Sequence, residues 1–121
     1  MHVRGIRGAI TIENNSTESI IESTKQLLQE IITQNNIKVE DIISCIFTVT
    51  CDLDAVHPAV AAREMGWVEV PLMCMNEMIV PGSLEKVVRI LLHVNSPKKQ
   101  NEIKHVYLKN AKILRPDLVK E

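Results

Sequence analysis

The chain carries five strand-like segments but only one helix long enough to cover a sheet, and that imbalance limits what it can fold into. Strands are predicted over 2–12, 42–50, 67–75, 84–94 and 103–108, and a helix over 17–35. In the helix, Ile20, Ile21, Thr24, Leu27, Leu28, Ile31 and Ile32 form one stripe at helical spacing, enough to cover one face of a sheet. The strands are nevertheless apolar on both faces. In KVVRILLHVN, residues 86–95, alternation puts Val88, Ile90, Leu92 and Val94 on one face and Val87, Arg89, Leu91 and His93 on the other. Left bare, the second face would exceed the roughly few hundred Å² of apolar patch usual on a monomer. The expected fold is therefore α+β, five strands forming a sheet with one long helix on one face. The expected state is an oligomer whose second sheet face packs on neighbouring chains.

Local signals punctuate this pattern. Ser16 or Thr17 can cap the helix, Glu18 suits its first turn, and Asn35–Asn36 ends it. The glycines of RGIRGA mark a bulge or a close backbone approach in the first strand. A short helical turn follows Pro58 and stops at Gly66; IVPGS is a turn, SPKKQNE a polar connection and LRPDLVKE a tail. No repeat, linker or low-complexity stretch divides residues 1–121, so one domain is expected.

Composition removes several function classes. The net charge of −1 and pI near 6.4 argue against a nucleic-acid footprint, which needs a basic patch. Phe47, Trp67 and Tyr107 are too few for a base-stacking platform. No apolar run reaches the roughly 18 residues of a membrane helix, and the N-terminus has no signal-peptide core. Cys45, Cys51 and Cys74 have no paired spacing, which points to reduced thiols in a cytoplasm, with Cys45 as core. Metal-ligand spacings and phosphate-binding glycine loops are absent from the sequence, so neither a metal nor a nucleotide cofactor is expected. A cysteine nucleophile would need a base and an orienting group, and no family spacing joins Cys74 to any of the histidines.

The arginines are the informative residues. Of five, Arg7, Arg63, Arg89 and Arg115 sit in the apolar or glycine-rich contexts GIRGA, AAREM, VVRIL and ILRPD. A guanidinium stays charged and is costly to bury unpaired, so Arg89 in mid-strand must meet something anionic. A single such residue is usually a structural ion pair. Four in a small domain make an anion site an equal reading, one suited to a small molecule with more than one carboxylate. Glu77, just past an apolar strand in CMNEM, and the lone Tyr107 fit that site, or alternatively an ion pair and a core hydroxyl.

RGIRGA, HPAVAAREMGW, CMNEM, VVRILLHV and HVYLKNAKILRPDL, in this order and at these intervals, resemble the trimeric α/β class of chorismate mutase from residue 3 to about 118. The resemblance implies a mixed five-stranded sheet with one long helix, three chains forming a trimeric pseudo-α/β-barrel with active sites between subunits. It also implies a cofactor-free Claisen rearrangement of chorismate to prephenate, in aromatic amino-acid biosynthesis. It places Arg89 at the ether oxygen, Arg7 and Tyr107 at carboxylates, and Glu77 with Cys74 at the ring hydroxyl. Leu72 and Met73 would lend backbone groups. His57, Ala59, Val60 and Arg63 would come from the neighbouring chain, with Leu114, Arg115 and the tail over the mouth. His57 and Val60 depart from the aromatic and the lysine usual in that family, which bears on substrate affinity. Two other functions share the architecture or the ligand: a deaminase acting on imine intermediates, and a non-catalytic trimer binding an aromatic-pathway acid. The CMNEM and VVRIL pairing favours the mutase.

Overall fold

The computed structural model describes residues 1–115. Helix α1 (Thr17–Asn35) begins where the Ser16 hydroxyl accepts the Ser19 N–H, with Glu18 in the first turn. It ends at Asn36, which takes the left-handed conformation at φ 52° and donates its N–H to the Ile32 carbonyl. The preceding Asn35 is buried and used differently. Its side-chain amide donates to the Ile31 and Lys104 carbonyls, and its Oδ1 accepts from the Lys104 N–H at 2.8 Å. The C-terminal turn of the helix is thus tied to the segment that precedes the last strand.

Five strands form one sheet in the order β3–β2–β4–β1–β5. They are β1 (His2–Thr11), β2 (Ile42–Val49), β3 (Leu72–Asn76), β4 (Val87–Ser96) and β5 (Val106–Leu108); a short helix α2 (Ala59–Glu64) lies between β2 and β3. β4 pairs antiparallel with β1 and β2, while β5 and β3 add as parallel edges. The helix stripe is inside as expected: Ile20, Leu27, Leu28 and Ile31 share a core with Ile6, Ile10, Phe47, Ile90, Leu92 and Val94. Gly8 is where the helix meets the sheet most closely. A Cβ there would stand 2.8 Å from Ile31 Cδ1 and 3.2 Å from the Val106 carbonyl oxygen. The close-approach reading of the strand glycines therefore applies at Gly8.

Three strand limits differ from the sequence reading. β3 starts at Leu72 rather than 67: Trp67 plugs the core behind α2, its N–H on the Ala62 carbonyl, and Pro71 has no N–H for a ladder. β4 runs from Val87 to Ser96 because Lys86, at φ 50°, breaks the extended run before it. β5 starts at Val106 rather than 103, since Asn35 takes both backbone groups of Lys104.

Among the described residues no helix covers the other sheet face. Val3, Met73, Met75 and Leu91 on it are 58%, 58%, 43% and 37% exposed. Its β5 end is covered, where the 3-10 turn Lys109–Ile113 brings Ala111 onto Ala9, Val87 and Tyr107. Among the described residues no helix is long and apolar enough to cross a membrane.

Candidate active site

Strand register assembles the site. Tyr107 pairs with Ala9, Ala9 with Arg89, Arg89 with Thr48 and Thr48 with Met75, so one row of side chains crosses all five strands on the helix-free face. The neighbouring same-face row is Arg7, Leu91, Ile46 and Met73. Adjacent strands lie about 4.8 Å apart, so Tyr107 and Arg89 stand roughly 10 Å apart in this row, with Ala9 between them. Arg7, Ile46, Thr48, Glu77, Arg89, Ile90 and Leu91 line a cavity of about 400 Å³ on this face.

Arg89 sits on the cavity floor. Its Nε is buried and makes no hydrogen bond among the described residues; the facing Glu77 Oε2 is 3.6 Å away. The two side chains are 29% and 22% exposed, an ion pair drawn partly out of water. Glu77 lies one residue beyond β3. Its N–H donates to the Val49 carbonyl at 2.8 Å, and its Oε2 accepts the Thr48 hydroxyl. Arg7 is held through its backbone N–H, which donates to His105 Nδ1 at 2.9 Å. The Tyr107 hydroxyl is also buried with no hydrogen-bond partner among the described residues. Two unengaged donors thus face the same side of the sheet. A buried unpaired donor is costly in a finished core, so the pair points to a ligand with acceptor groups.

The site residues expected from sequence fall in several places. Arg7, Glu77 and Arg89 come together in the cavity, and Tyr107 lies at the end of the Arg89 row. Met73 flanks the cavity in the Arg7 row, and Leu114 packs beside Tyr107 against Ala9 and Val87. Arg115 is half-buried and engaged, and the tail from 116 lies outside the described residues. His57, Ala59, Val60 and Arg63 do not line their own chain's cavity. Ala59 is buried in the helix-side core, while His57 and Arg63 are exposed.

Cys74 departs from its expected place. It pairs with Phe47, whose side chain is in the helix-side core, and it packs against that core. Its thiol is therefore on the opposite face from Glu77's carboxylate, because strand side chains alternate. Beneath it, burial pushes the Cys45 thiol far up, with Cys74 adding to the rise. Thr48 was not foreseen. Alternation shows that it shares a face with Ile46, but only pairing reveals Arg89 across from it. Among the described residues no three His, Cys, Asp or Glu side chains group as a metal site.

The family model for chorismate mutase type I matches residues 3–118. Chorismate mutase AroH of Bacillus subtilis (strain 168) is 48% identical over 119 residues, covering 98% of this chain and 94% of that protein. Chorismate mutase AroH of Thermus thermophilus is 47% identical over 117 residues, covering 96% of each. The solved structure of a chorismate mutase from Clostridium thermocellum superposes with a TM-score of 0.89 at 54% identity, covering 90% of this chain and 97% of that one. With near full-length agreement in sequence and fold, this chain belongs to the type I chorismate mutase family.

Proposed function

We propose that the chain is an isomerase that converts chorismate to prephenate by a Claisen rearrangement, as a homotrimer with its sites between subunits. The observation that carries the reading is Arg89: a guanidinium on a cavity floor, its Nε–H unengaged and its counter-charge 3.6 Å away. The family match from residue 3 to 118 supports it.

The chemistry asks little of the protein beyond placement and charge. One C–O bond of the substrate breaks as one C–C bond forms, and the electrons move within one molecule. No proton, electron or covalent bond passes to the protein, so no nucleophile or cofactor is required. Negative charge grows on the ether oxygen as the C–O bond lengthens. A cation already fixed at that point favours the transition state over the ground state. Arg89 takes that role. Arg7 and Tyr107 hold the carboxylates, and Glu77 accepts from the ring hydroxyl. The apolar walls Ile46 and Leu91 lower the local dielectric and strengthen each of these interactions. A roughly million-fold acceleration needs about 8 kcal/mol, within reach of one placed cation plus restriction of the flexible ether.

Two features support the trimer. The helix-free face leaves Val3, Met73, Met75 and Leu91 exposed around an open cavity. The segment 57–63 lies away from its own chain's cavity, as expected if His57, Ala59, Val60 and Arg63 close a neighbour's site. Backbone groups of Leu72, Met73 and Cys74 would face the substrate, and Leu114 and Arg115 its mouth. The direct test is loss of chorismate absorbance on adding the purified chain, with prephenate identified as product. A correctly folded chain that leaves chorismate unchanged would sink the reading. Release of ammonia from imine intermediates would replace it with the deaminase.

A further inference from the structure

We propose that Thr48 is a positioning residue that keeps the Arg89 donor available by holding Glu77 off it. The proposal rests on the mutase reading for its kinetic consequence, though not for its geometry. Thr48 lies directly across from Arg89 in the β2–β4 ladder, and both line the cavity. Its hydroxyl donates to Oε2 of Glu77, the same oxygen that faces Arg89 Nε at 3.6 Å. The next residue of β2, Val49, accepts the Glu77 N–H at 2.8 Å. Glu77 is thus pinned at its backbone and at its carboxylate by two consecutive residues of one strand.

The distance makes the pinning meaningful. A charge-assisted N–H···O bond closes to about 2.7–2.9 Å, and a carboxylate free to move toward a guanidinium takes that geometry. Here the oxygen stops at 3.6 Å and the Arg89 Nε is left without a hydrogen bond. The Thr48 hydroxyl competes for the oxygen and wins. Without it, Glu77 would move under 1 Å, engage the Nε–H and partly neutralise the cation before any substrate arrives. Glu77 would also turn away from the hydroxyl it is to receive.

The test uses the full chain with Thr48→Val, which keeps shape and strand preference while removing the donor, and Thr48→Ser, which restores it. The first readout needs no substrate. The Arg89 Nε–H proton signal, assigned by its loss in Arg89→Lys, should move downfield in Thr48→Val and stay at the wild-type position in Thr48→Ser. A signal unmoved in Thr48→Val overturns the proposal. The second readout is kinetic. Thr48→Val should lower kcat about tenfold with KM within about twofold, and Thr48→Ser should recover most of the loss. In a Glu77→Ala background, adding Thr48→Val should change kcat by less than about twofold, since the group it positions is gone. Independent, multiplying losses would refute positioning through Glu77. A wild-type chain inactive on chorismate defeats the mutase reading instead, and the proton signal still decides the role of Thr48.

Discussion

Removing the Arg89 guanidinium separates a catalytic cation from a structural one. The side chain is 29% exposed and faces the Glu77 carboxylate at 3.6 Å, without a hydrogen bond from Nε. As a fold-stabilising contact it is therefore modest. A partly buried ion pair without a hydrogen bond from Nε contributes about 1 kcal/mol, a shift of a few degrees in Tm for a chain of this size. As a catalytic charge it is worth more. A unit charge about 4 Å from a developing charge contributes about 4 kcal/mol at an effective dielectric constant near 20. Loss of a single oxyanion donor in other enzymes costs about 2.7–4 kcal/mol, or 10²–10³ in rate. Both estimates give the same range. Removal also leaves Glu77 without its counter-charge, beside the oxygen that becomes negative in the proposed mechanism. Arg89→Ala should accordingly lower kcat by about two to three orders of magnitude, with Tm reduced by only a few degrees. Arg89→Lys should recover part of the loss, because a point charge cannot reproduce the planar fork. Citrulline at position 89 keeps the shape and the Nε–H but exchanges one amino group for a carbonyl and removes the charge, so its kcat should fall close to that of Arg89→Ala while substrate binding stays near wild type. The assay is chorismate loss under saturating substrate, normalised to the folded fraction, beside thermal melts of the same samples. A strongly destabilised Arg89→Ala whose folded fraction turns over chorismate normally would return Arg89 to a structural ion pair.

Other expectations follow from the same geometry. Sedimentation equilibrium at micromolar concentration should give a trimer, since the helix-free face is apolar and uncovered; a stable monomer contradicts the interface reading. Arg63→Ala and Arg115→Ala should raise KM more than they lower kcat, the pattern of lost ground-state capture, and a large kcat loss at constant KM would refute that assignment. Cys74→Ala should keep most activity because the thiol faces the helix-side core, and a covalent adduct between substrate and Cys74 would overturn the mechanism. In the native protein Cys45, whose thiol is pushed far up by burial, should resist alkylation at pH 8 while exposed Cys51 is labelled; mass spectrometry of the labelled peptides checks this, and rapid Cys45 labelling contradicts the packing. Gly8→Ala should destabilise by about 1–3 kcal/mol through overpacking, seen as a lower Tm, since its Cβ would press on Ile31 and the Val106 carbonyl oxygen.

The sequence by itself determined the elements whose causes are local. Ser16, the stripe from Ile20 to Ile32 and Asn36 delimit α1 over 17–35, because caps and helical periodicity act within a few residues. Alternation in 86–95 likewise showed which residues of β4 share a face, and that Arg89 is out of place among them. The order and spacing of the motifs pointed to the family. Tertiary structure decided what depends on pairing between distant segments. The row from Tyr107 through Ala9, Arg89 and Thr48 to Met75 exists only in the register of four strand pairs, which no local pattern encodes. Start points of strands mattered as much. Asn35 and Pro71 trimmed β5 and β3, and side-chain parity is counted from the ladder, so Cys74 turned inward while Met73 turned toward the cavity face. Thr48 became a site residue for the same reason. A strand period of two tells which residues go together, and the hydrogen-bonded partner tells where they go.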